Sequence, residues 1–390
     1  MKRILALAIA ATLAPLPALA APSVKLGVEV LLSKRLDLVK GKRIGLITNV
    51  SATDGQGRSD IDLLARAPGV KLTALFAPEH GVRATLDVED IPDGRDPATG
   101  VPIFSLYNKD RAPTAKQTAN VDVLVFDIQD SGSRFYTYTT TLGLCMEAAK
   151  KLHKPFIVLD RPNPITGVAQ GEMLDPAFKH FTGRYPLTIR HGMTIGELAR
   201  YINGEEHVGA DLTVVPMEGW HRSMWYDQTG LPWHRPSPAM TSPDTALYYV
   251  GIGLFEATNV DCRSGGHPFR WVGASWADGK ALAIDMNARR LPGVRFNARR
   301  VGSEDGVDVV ITDRSTFKPI EAAVEMMASF RKLHPAKFEA YRSGLGHMSG
   351  SDAMWTALTT NGDLRALATK YGQATLSYDA KRRPYLLYRD

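Results

Sequence analysis

Short apolar runs alternate with helical patterns along the chain from residue 42 onward. Each run is rich in Val, Ile, Leu and Phe and lacks the alternation of a half-exposed strand, which is typical of strands that are buried on both faces. The runs are RIGLITNV, KLTALFA, VPIFSLY, VDVLVFDI and KPFIVLD, and the helical patterns are SDIDLLARA, TTLGLCMEAAKKLH and TIGELARYING. This order predicts an α/β domain with a parallel sheet covered by helices on both faces.

A second unit follows a long polar segment. The run LTVVPM predicts one more strand, and residues 219–243, rich in Trp, Pro and His, predict a loop whose length is uncommon unless the loop is functional. Beyond this loop come the apolar runs LYYVGIGLFEATNV, KALAIDMNA and GVDVVITD and the helical patterns FKPIEAAVEMMASFRKLH and GDLRALATKY. The pattern predicts a first domain over residues 21–246 and a smaller α/β domain over residues 247–390.

The first twenty residues have the pattern of a secretory signal peptide. Lys2 and Arg3 precede an apolar stretch that ends in ALA at residues 18–20. The stretch is too short to span a bilayer, and no later segment approaches the roughly twenty apolar residues that spanning requires. We therefore expect residues 1–20 to be removed and the mature chain to be periplasmic or secreted, without stable membrane insertion.

Charge and motif content narrow the function only slightly. The formal charge of +6 falls to +4 without Lys2 and Arg3, which suits an anionic partner such as cell-wall glycan but is also ordinary for a soluble surface. Cys145 lies in a helical pattern, where a buried thiol is favoured over a disulfide to Cys262. The sequence contains no GKS or GKT phosphate loop and no histidine pair with zinc-ligand spacing. We expect no metal, no cofactor and no nucleic-acid partner, and the oligomeric state stays open.

Polar residues follow four strands of the first domain at the point where each strand ends. The carboxyl ends of parallel strands lie along one edge of the sheet, and ligands bind in the crevice there. The residues expected to converge at this edge are Asn49, Glu79, His80, Asp127, Asp130, Arg134, Asp160, Arg161 and Asn163. Helix caps and local turns are alternative roles for Asp130, Asp160 and Asn163.

Glu79, in the stretch FAPEHG, is the strongest candidate for chemistry. Glutamate is a poor turn former and is seldom buried, so local structure alone does not account for its place between Pro78 and Gly81. Partial desolvation at the mouth of an apolar strand favours the protonated form of a carboxyl group, as a general acid requires. A glycosidase needs such an acid and a second group. Asp127 and Asp130 are the further catalytic candidates.

Longer motifs resemble those of the exo-acting β-N-acetylmuramidases. They are FAPEHG, DIQDSGSRFYTY, LDRPNPITG, QGE, RHGMTIGELA, LFEATNV and PYLLY, in order along essentially the whole mature chain. The resemblance implies a Rossmann-like amino-terminal domain, a smaller carboxyl-terminal domain and an active site in the cleft between them. It also implies release of N-acetylmuramic acid from the non-reducing end of peptidoglycan-derived saccharides or muropeptides, with the family's catalytic glutamate at Glu79.

Substrate-binding residues are expected on the same motifs. They are Asn49, His80, Arg134, Tyr138, Arg161, Asn163, Glu172, Arg190, His191, Glu256 and Asn259. Arg134 and Arg190 are the best candidates to bind the lactyl carboxylate of muramic acid, because guanidinium pairs with carboxylate bidentately. If they do not, recognition is expected in loop 261–267, which departs, as does Ala257, from the glycine-rich pattern of the family.

Two other functions stay open from the sequence. Two α/β domains around a cleft also describe non-catalytic solute-binding proteins, which would bind a glycan without turnover. A serine esterase or amidase of cell-wall substituents would use Ser131 or Ser133, although neither lies in a Gly-x-Ser-x-Gly elbow. The stereochemistry of a glycosidase depends on the separation of its carboxylates, which a sequence does not give.

Overall fold

The computed structural model describes residues 24–82, 92–107, 109–360 and 362–389. The predicted signal peptide, residues 1–20, lies outside the described residues. Across the described ranges, no helix has both the length and the apolar character needed to cross a membrane.

A mostly parallel sheet forms the centre of the first domain. The strands here are β1 Arg43–Thr48, β2 Lys71–Ala77, β3 Gly94–Arg95, β4 Pro102–Ser105, β5 Val123–Asp127, β6 Phe156–Leu159, β7 Gln170–Met173, β8 Thr188–Arg190 and β9 Leu212–Val215. Within the described residues the main sheet has the order β3-β4-β2-β1-β5-β6-β9, and β7 pairs with β8 separately. Neighbouring strands of the main sheet are parallel, except that β3 is antiparallel to β4. The chain runs outward in one direction from β1 and in the other from β5, so a ligand crevice is expected at the carboxyl ends of these two strands.

Helices cover both faces of this sheet. They are α1 Gly27–Lys34, α2 Asp60–Arg66, α3 Tyr138–Lys151 and α4 Ile195–Glu205. Leu46 and Ile47 in β1 are fully buried in two different core clusters, one shared with α1 and α2 and the other with α3 and α4. Thr194 caps α4 by accepting from Glu197 N, and Glu197 closes the capping box. The predicted two-sided parallel sheet is therefore confirmed.

The smaller carboxyl-terminal domain is also α/β, as predicted. Its strands β10 Trp271–Ala274, β11 Val294–Val301 and β12 Glu304–Ile311 form an antiparallel sheet in the order β10-β12-β11. Its helices are α5 Pro243–Ile252, α6 Gly279–Ala288, α7 Pro319–Leu333, α8 Arg342–Ser349, α9 Ala353–Thr359 and α10 Leu364–Arg382. Of the apolar runs, GVDVVITD supplies a strand, whereas LYYVGI and KALAIDMNA lie in helices α5 and α6.

The two domains are joined by more than the covalent link between them. The core cluster on the α3 side of the sheet continues through α5 into α6 and α7, and the domain boundary predicted at residue 246 lies within α5. The end of the chain then returns to the first domain. Tyr388 donates from its hydroxyl to Asp160 Oδ2 (2.5 Å) and accepts from Met217 N (2.8 Å), and Leu387 N donates to Glu197 Oε1 (2.8 Å).

Candidate active site

A pocket of about 170 Å³ opens where the carboxyl end of the central sheet faces the second domain. The first domain contributes the residues after β2 and before α3, Thr182 in the segment before β8, and part of the long loop that precedes α5. The second domain contributes α5, the turn after it and loop 261–267 with its flank. The lining residues are Glu79, His80, Phe135, Tyr136, Thr137, Thr182, Ser237, Pro238, Ala239, Met240, Tyr249, Glu256, Arg263 and Phe269.

A tight turn at the end of β2 brings Glu79 and His80 to the pocket. Gly81 N donates to Pro78 O (3.0 Å), and His80 and Gly81 have φ angles of 70° and 77°. The left-handed conformation costs a non-glycine residue about 1 kcal/mol or more, and such strain persists where the surrounding structure holds it, often at functional sites. Strand β2 therefore ends at the buried residue Ala77, and the turn places Glu79 and His80 in the pocket lining.

Hydroxyl groups surround the carboxylate of Glu79. The Thr137 hydroxyl donates to Glu79 Oε2. Burial and a hydrogen bond to the Glu79 carboxylate raise the pKa of Tyr107 to about 12, so this phenol is protonated at neutral pH. A hydroxyl both donates and accepts. Thr137 and Tyr107 can therefore serve Glu79 in its ionised and in its protonated form.

Aromatic rings form one wall of the pocket. Tyr249 lies at its centre, with ring centroids 4.9 Å from Phe135, 4.9 Å from Phe269 and 5.9 Å from Tyr136. Aromatic rings are common stacking surfaces for ligands that are partly apolar and partly polar. This wall combines rings of both domains, so it closes only when the two domains pack together.

Tyr136 presents a buried hydroxyl at this wall. The residue is 6% exposed, and its hydroxyl has no well-formed hydrogen bond within the part of the chain that the structure describes. Burial raises the pKa of Tyr136, and the negative charges of Asp130 and Glu79 act in the same direction, so the hydroxyl keeps its proton. Hydrogen bonding to the pocket residue Ser237 opposes this rise but falls short of ideal geometry, so a ligand or a water molecule in the pocket can improve on it.

Asn49 and Tyr138 lie behind the pocket rather than in it. Asn49 Nδ2 donates to the Tyr138 hydroxyl (2.9 Å), which donates to Pro236 O (2.5 Å), directly before the pocket-lining residues 237–240. The Tyr138 hydroxyl also lies 3.3 Å from the carbonyl oxygen of Glu79. These buried contacts join the ends of β1 and β2 to the start of α3, and they position the pocket walls.

Asp130 and His191 form a buried pair beneath Tyr136. His191 Nδ1 accepts from Met193 N (3.2 Å), so its proton lies on Nε2, which donates to Asp130 Oδ2 (3.0 Å). Asp130 Oδ2 also accepts from Gly132 N (2.6 Å). The pair is almost fully buried and does not line the pocket. Its effect on the pocket is electrostatic, because the charge of Asp130 helps to raise the pKa of Tyr136.

Asp127 and Arg161 form an ion pair inside the sheet edge. Their side chains are 0% and 3% exposed, and Arg161 Nη2 donates to Asp127 Oδ2 (3.0 Å) and to Thr53 O (2.8 Å). Burial raises the pKa of the neighbouring Asp60 well above its usual range, and the charge of Asp127 adds to this. Burial raises the pKa of Asp127 as well, so the protonated form of one of these two carboxyl groups is favoured beside the single Arg161 guanidinium.

Arg134 and Arg190 are held by protein oxygens away from the pocket. Arg134 donates to the carbonyl oxygens of Glu172 (2.8 Å), Leu187 (2.7 Å) and Met348 (2.8 Å). Arg190 donates to Ile165 O and to Thr166 Oγ1 (3.2 Å). Burial lowers the pKa to about 10 for Arg134 and to about 9 for Arg190. Both guanidinium groups brace the β7–β8 region.

The other residues expected at the site also have local partners. Asn163 Nδ2 donates to Met193 O (2.9 Å), and Asn259 Nδ2 donates to Lys337 O (2.7 Å). Glu172 accepts from the Ser351 hydroxyl (2.6 Å) and pairs with Lys370. Ser131 and Ser133 are completely buried. Cys145 and Cys262 are buried free thiols.

The structure thus brings Glu79, His80 and Glu256 into one pocket, with Asn49 and Tyr138 directly behind them. Sequence reasoning missed several lining residues, among them Tyr136, Thr137, Tyr249, Arg263 and Phe269. Tyr136 and Thr137 lie in the quoted motif DIQDSGSRFYTY, so a search for hydroxyl donors near Glu79 could have found them. In the second domain, loop 261–267 was singled out only as a whole, and Tyr249 and Phe269 lie in apolar runs that look like ordinary core.

Known proteins resemble this chain along its length. Two family models, described as the N-terminal and C-terminal parts of the exo-beta-N-acetylmuramidase NamZ, match residues 44–244 and 247–388. The peptidoglycan beta-N-acetylmuramidase NamZ of Bacillus subtilis (strain 168) is 39% identical over 380 residues, which cover 94% of this chain and 92% of the relative.

Two solved structures of DUF1343 family proteins from Bacteroides fragilis NCTC 9343 share the fold. One is 34% identical with a TM-score of 0.87, and the other is 26% identical with a TM-score of 0.75. Each alignment covers 94% of this chain and 99% of the solved chain. With the family models and the Bacillus subtilis relative, these matches show that the chain belongs to the exo-β-N-acetylmuramidase family, a family of glycoside hydrolases.

Proposed function

We propose that this protein releases N-acetylmuramic acid from the non-reducing end of peptidoglycan fragments, with Glu79 as the general acid. The activity follows the family and the name of the Bacillus subtilis relative. The observation that carries the role of Glu79 is its place in the interdomain pocket, with hydroxyl partners suited to both of its protonation states. The expected signal peptide supports a periplasmic or secreted location, where peptidoglycan lies.

In the proposed reaction, the proton of Glu79 passes to the glycosidic oxygen as the bond from the anomeric carbon to that oxygen breaks. The leaving group departs as an alcohol. Water adds to the anomeric carbon, and the proton lost from this water restores the carboxyl group of Glu79. The hydroxyl of Tyr136 keeps its proton and can donate a hydrogen bond to a polar group of the substrate in the pocket.

The pocket holds a second carboxylate, Glu256, which is paired with Arg263. This ion pair suits substrate binding better than proton transfer, because the guanidinium favours the ionised carboxylate. The N-acetyl group of the substrate is the other group able to stabilise the anomeric centre. The anomeric form of the first product, observed by proton NMR, distinguishes retention from inversion.

Turnover separates this proposal from the alternatives. Wild-type protein should release free N-acetylmuramic acid from a disaccharide with a non-reducing muramoyl end, and Glu79→Gln should abolish release. Glu339→Gln is the matched control, because Glu339 is an exposed glutamate outside the pocket. Tight binding of the disaccharide without product would instead support a glycan-binding protein. The complete burial of Ser131 and Ser133 disfavours the serine-hydrolase mechanism, and labelling of either by a serine-directed inhibitor would reinstate it.

A further inference from the structure

A stacked arginine lies next to the tyrosine that contacts Glu79. The Arg111 guanidinium carbon lies 4.5 Å from the centroid of the Tyr107 ring and 4.5 Å from that of the Phe181 ring. The two ring centroids are 5.8 Å apart. Arg111 is exposed and both rings are half-buried. Because a guanidinium is attracted to the face of an aromatic ring, the two rings hold this cation in one position at the edge of the site.

A tight turn between β7 and β8 carries the second ring of this stack. Two backbone hydrogen bonds between His180 and Gly183, each 3.0 Å long, close the turn around Phe181. The next residue, Thr182, lines the pocket. The stack is therefore attached to the pocket wall through a closed turn and does not depend on the rotamer of Arg111 alone.

Tyr107 connects the stack to Glu79. Burial and the hydrogen bond to the Glu79 carboxylate raise the pKa of Tyr107 to about 12, and Arg111 opposes this rise by its charge and by hydrogen bonding. The guanidinium thus acts on the phenol, and the phenol donates to the carboxylate. The three side chains form a chain of contacts in which Tyr107 keeps its proton.

We propose that Tyr107 and Arg111 stabilise the Glu79 carboxylate as its proton passes to the glycosidic oxygen, with Arg111 acting through the Tyr107 phenol. The inference rests on the proposed function, because it takes Glu79 as the acid. While Glu79 is protonated, the phenol donates to a neutral acceptor. As the proton leaves, the acceptor becomes an anion, and hydrogen bonds to ions are roughly twice as strong as neutral ones. Only contacts that strengthen in the transition state in this way raise the rate.

The expected effects depend on the leaving group. Tyr107→Phe should lower kcat on the order of tenfold to a hundredfold for glycosides of basic phenols, as for one hydrogen bond to a charged group. Glycosides of acidic phenols should be hydrolysed almost normally, because they depart with little protonation. Arg111→Met should show the same dependence with a smaller loss, on the order of threefold, because water screens an exposed charge. Arg111→Lys should recover part of this loss, because an ammonium group also binds the face of a ring.

The test is a double-mutant cycle on aryl β-N-acetylmuramides whose phenols differ in pKa. The kcat values are compared for wild type, Tyr107→Phe, Arg111→Met and the double variant. The effect of Arg111→Met should disappear in the Tyr107→Phe background, because the guanidinium acts through the hydroxyl that is missing there. Arg342→Met is the matched control, because Arg342 is an exposed arginine stacked on Trp355 (5.2 Å) outside the described pocket lining. This control should keep the kcat of wild type for every leaving group.

Three results would overturn the inference: a loss in Tyr107→Phe that is equal for every leaving group, no loss in that variant for basic phenols, or independent losses from the two substitutions in the double variant. Any of these results, with turnover by the wild type, would refute this inference alone. A wild-type protein that releases no product would refute the proposed function and this inference with it.

Discussion

Replacing Asp127 with Asn tests whether this strand-end carboxylate is structural or catalytic. The substitution leaves the Arg161 guanidinium buried, with 3% of its side chain exposed, and without its charged partner. Removing one member of a buried ion pair typically costs about 3–5 kcal/mol. Asp60 should offset part of this cost, because the charge of Asp127 is one of the causes that raise the pKa of Asp60, and its removal favours the ionised form of Asp60 beside Arg161.

We therefore expect the lower end of that range, about 3 kcal/mol. With an unfolding entropy of about 2.1 cal/mol/K per residue, a chain of 390 residues should lose about 4 °C in Tm. Circular dichroism measures Tm, and kcat is measured at a temperature well below the Tm of the variant. The double variant Asp127→Asn, Arg161→Met should recover stability, because it removes the unpaired charge. A large loss of kcat with unchanged Tm would refute this reasoning and make Asp127 catalytic.

Two further predictions concern the activity of a Tyr136 variant and the pH dependence of stability that Asp160 causes. Tyr136→Phe should lower kcat on the order of tenfold, the value of one hydrogen bond to the substrate. Its effect on Tm should be small, because the contact of the hydroxyl with Ser237 is not well formed. A large fall in Tm with unchanged kcat would contradict its role. Burial raises the pKa of Asp160 to about 7 in the folded protein. Between about pH 4 and pH 7 the folded state therefore keeps a proton that the unfolded state has released. The free energy of unfolding should fall as the pH rises through this range. Urea unfolding at pH 5 and pH 8 measures the difference in the free energy of unfolding, and this difference should be smaller in Asp160→Asn. The same difference in the variant and the wild type would show that other groups cause the pH dependence.

The first domain could be predicted because its strands are buried on both faces. Every residue of β5, Val123–Asp127, is buried, so the sequence shows an unbroken apolar run. Strand β11 escaped prediction because it is an edge strand, and its exposed positions carry residues such as Arg295 and Arg300. The run LYYVGI was ambiguous for the opposite reason: all of α5 from Thr245 to Ile252 is buried, which removes the polar face by which a helix is recognised.

The site could be predicted only as far as the edge of the sheet. The strand-end argument selected Glu79, which lines the pocket, and also Asp127, whose carboxylate points to Arg161 inside the protein. A strand end gives a residue's position and not the direction of its side chain. Arg263 and Tyr249 come from a different domain, and their approach to Glu79 depends on how the domains pack, which residue spacing does not encode.

The dependence of rate on the leaving group tests the central claim, that Glu79 protonates the glycosidic oxygen. The substrates are aryl β-N-acetylmuramides whose phenols span a range of pKa, and kcat/KM is compared between wild type and Glu79→Gln. The variant should hydrolyse glycosides of acidic phenols almost normally and lose activity progressively as the leaving phenol becomes more basic, because only poor leaving groups need the proton. An equal loss on every substrate, or none on any, would contradict the assignment of Glu79 as the acid.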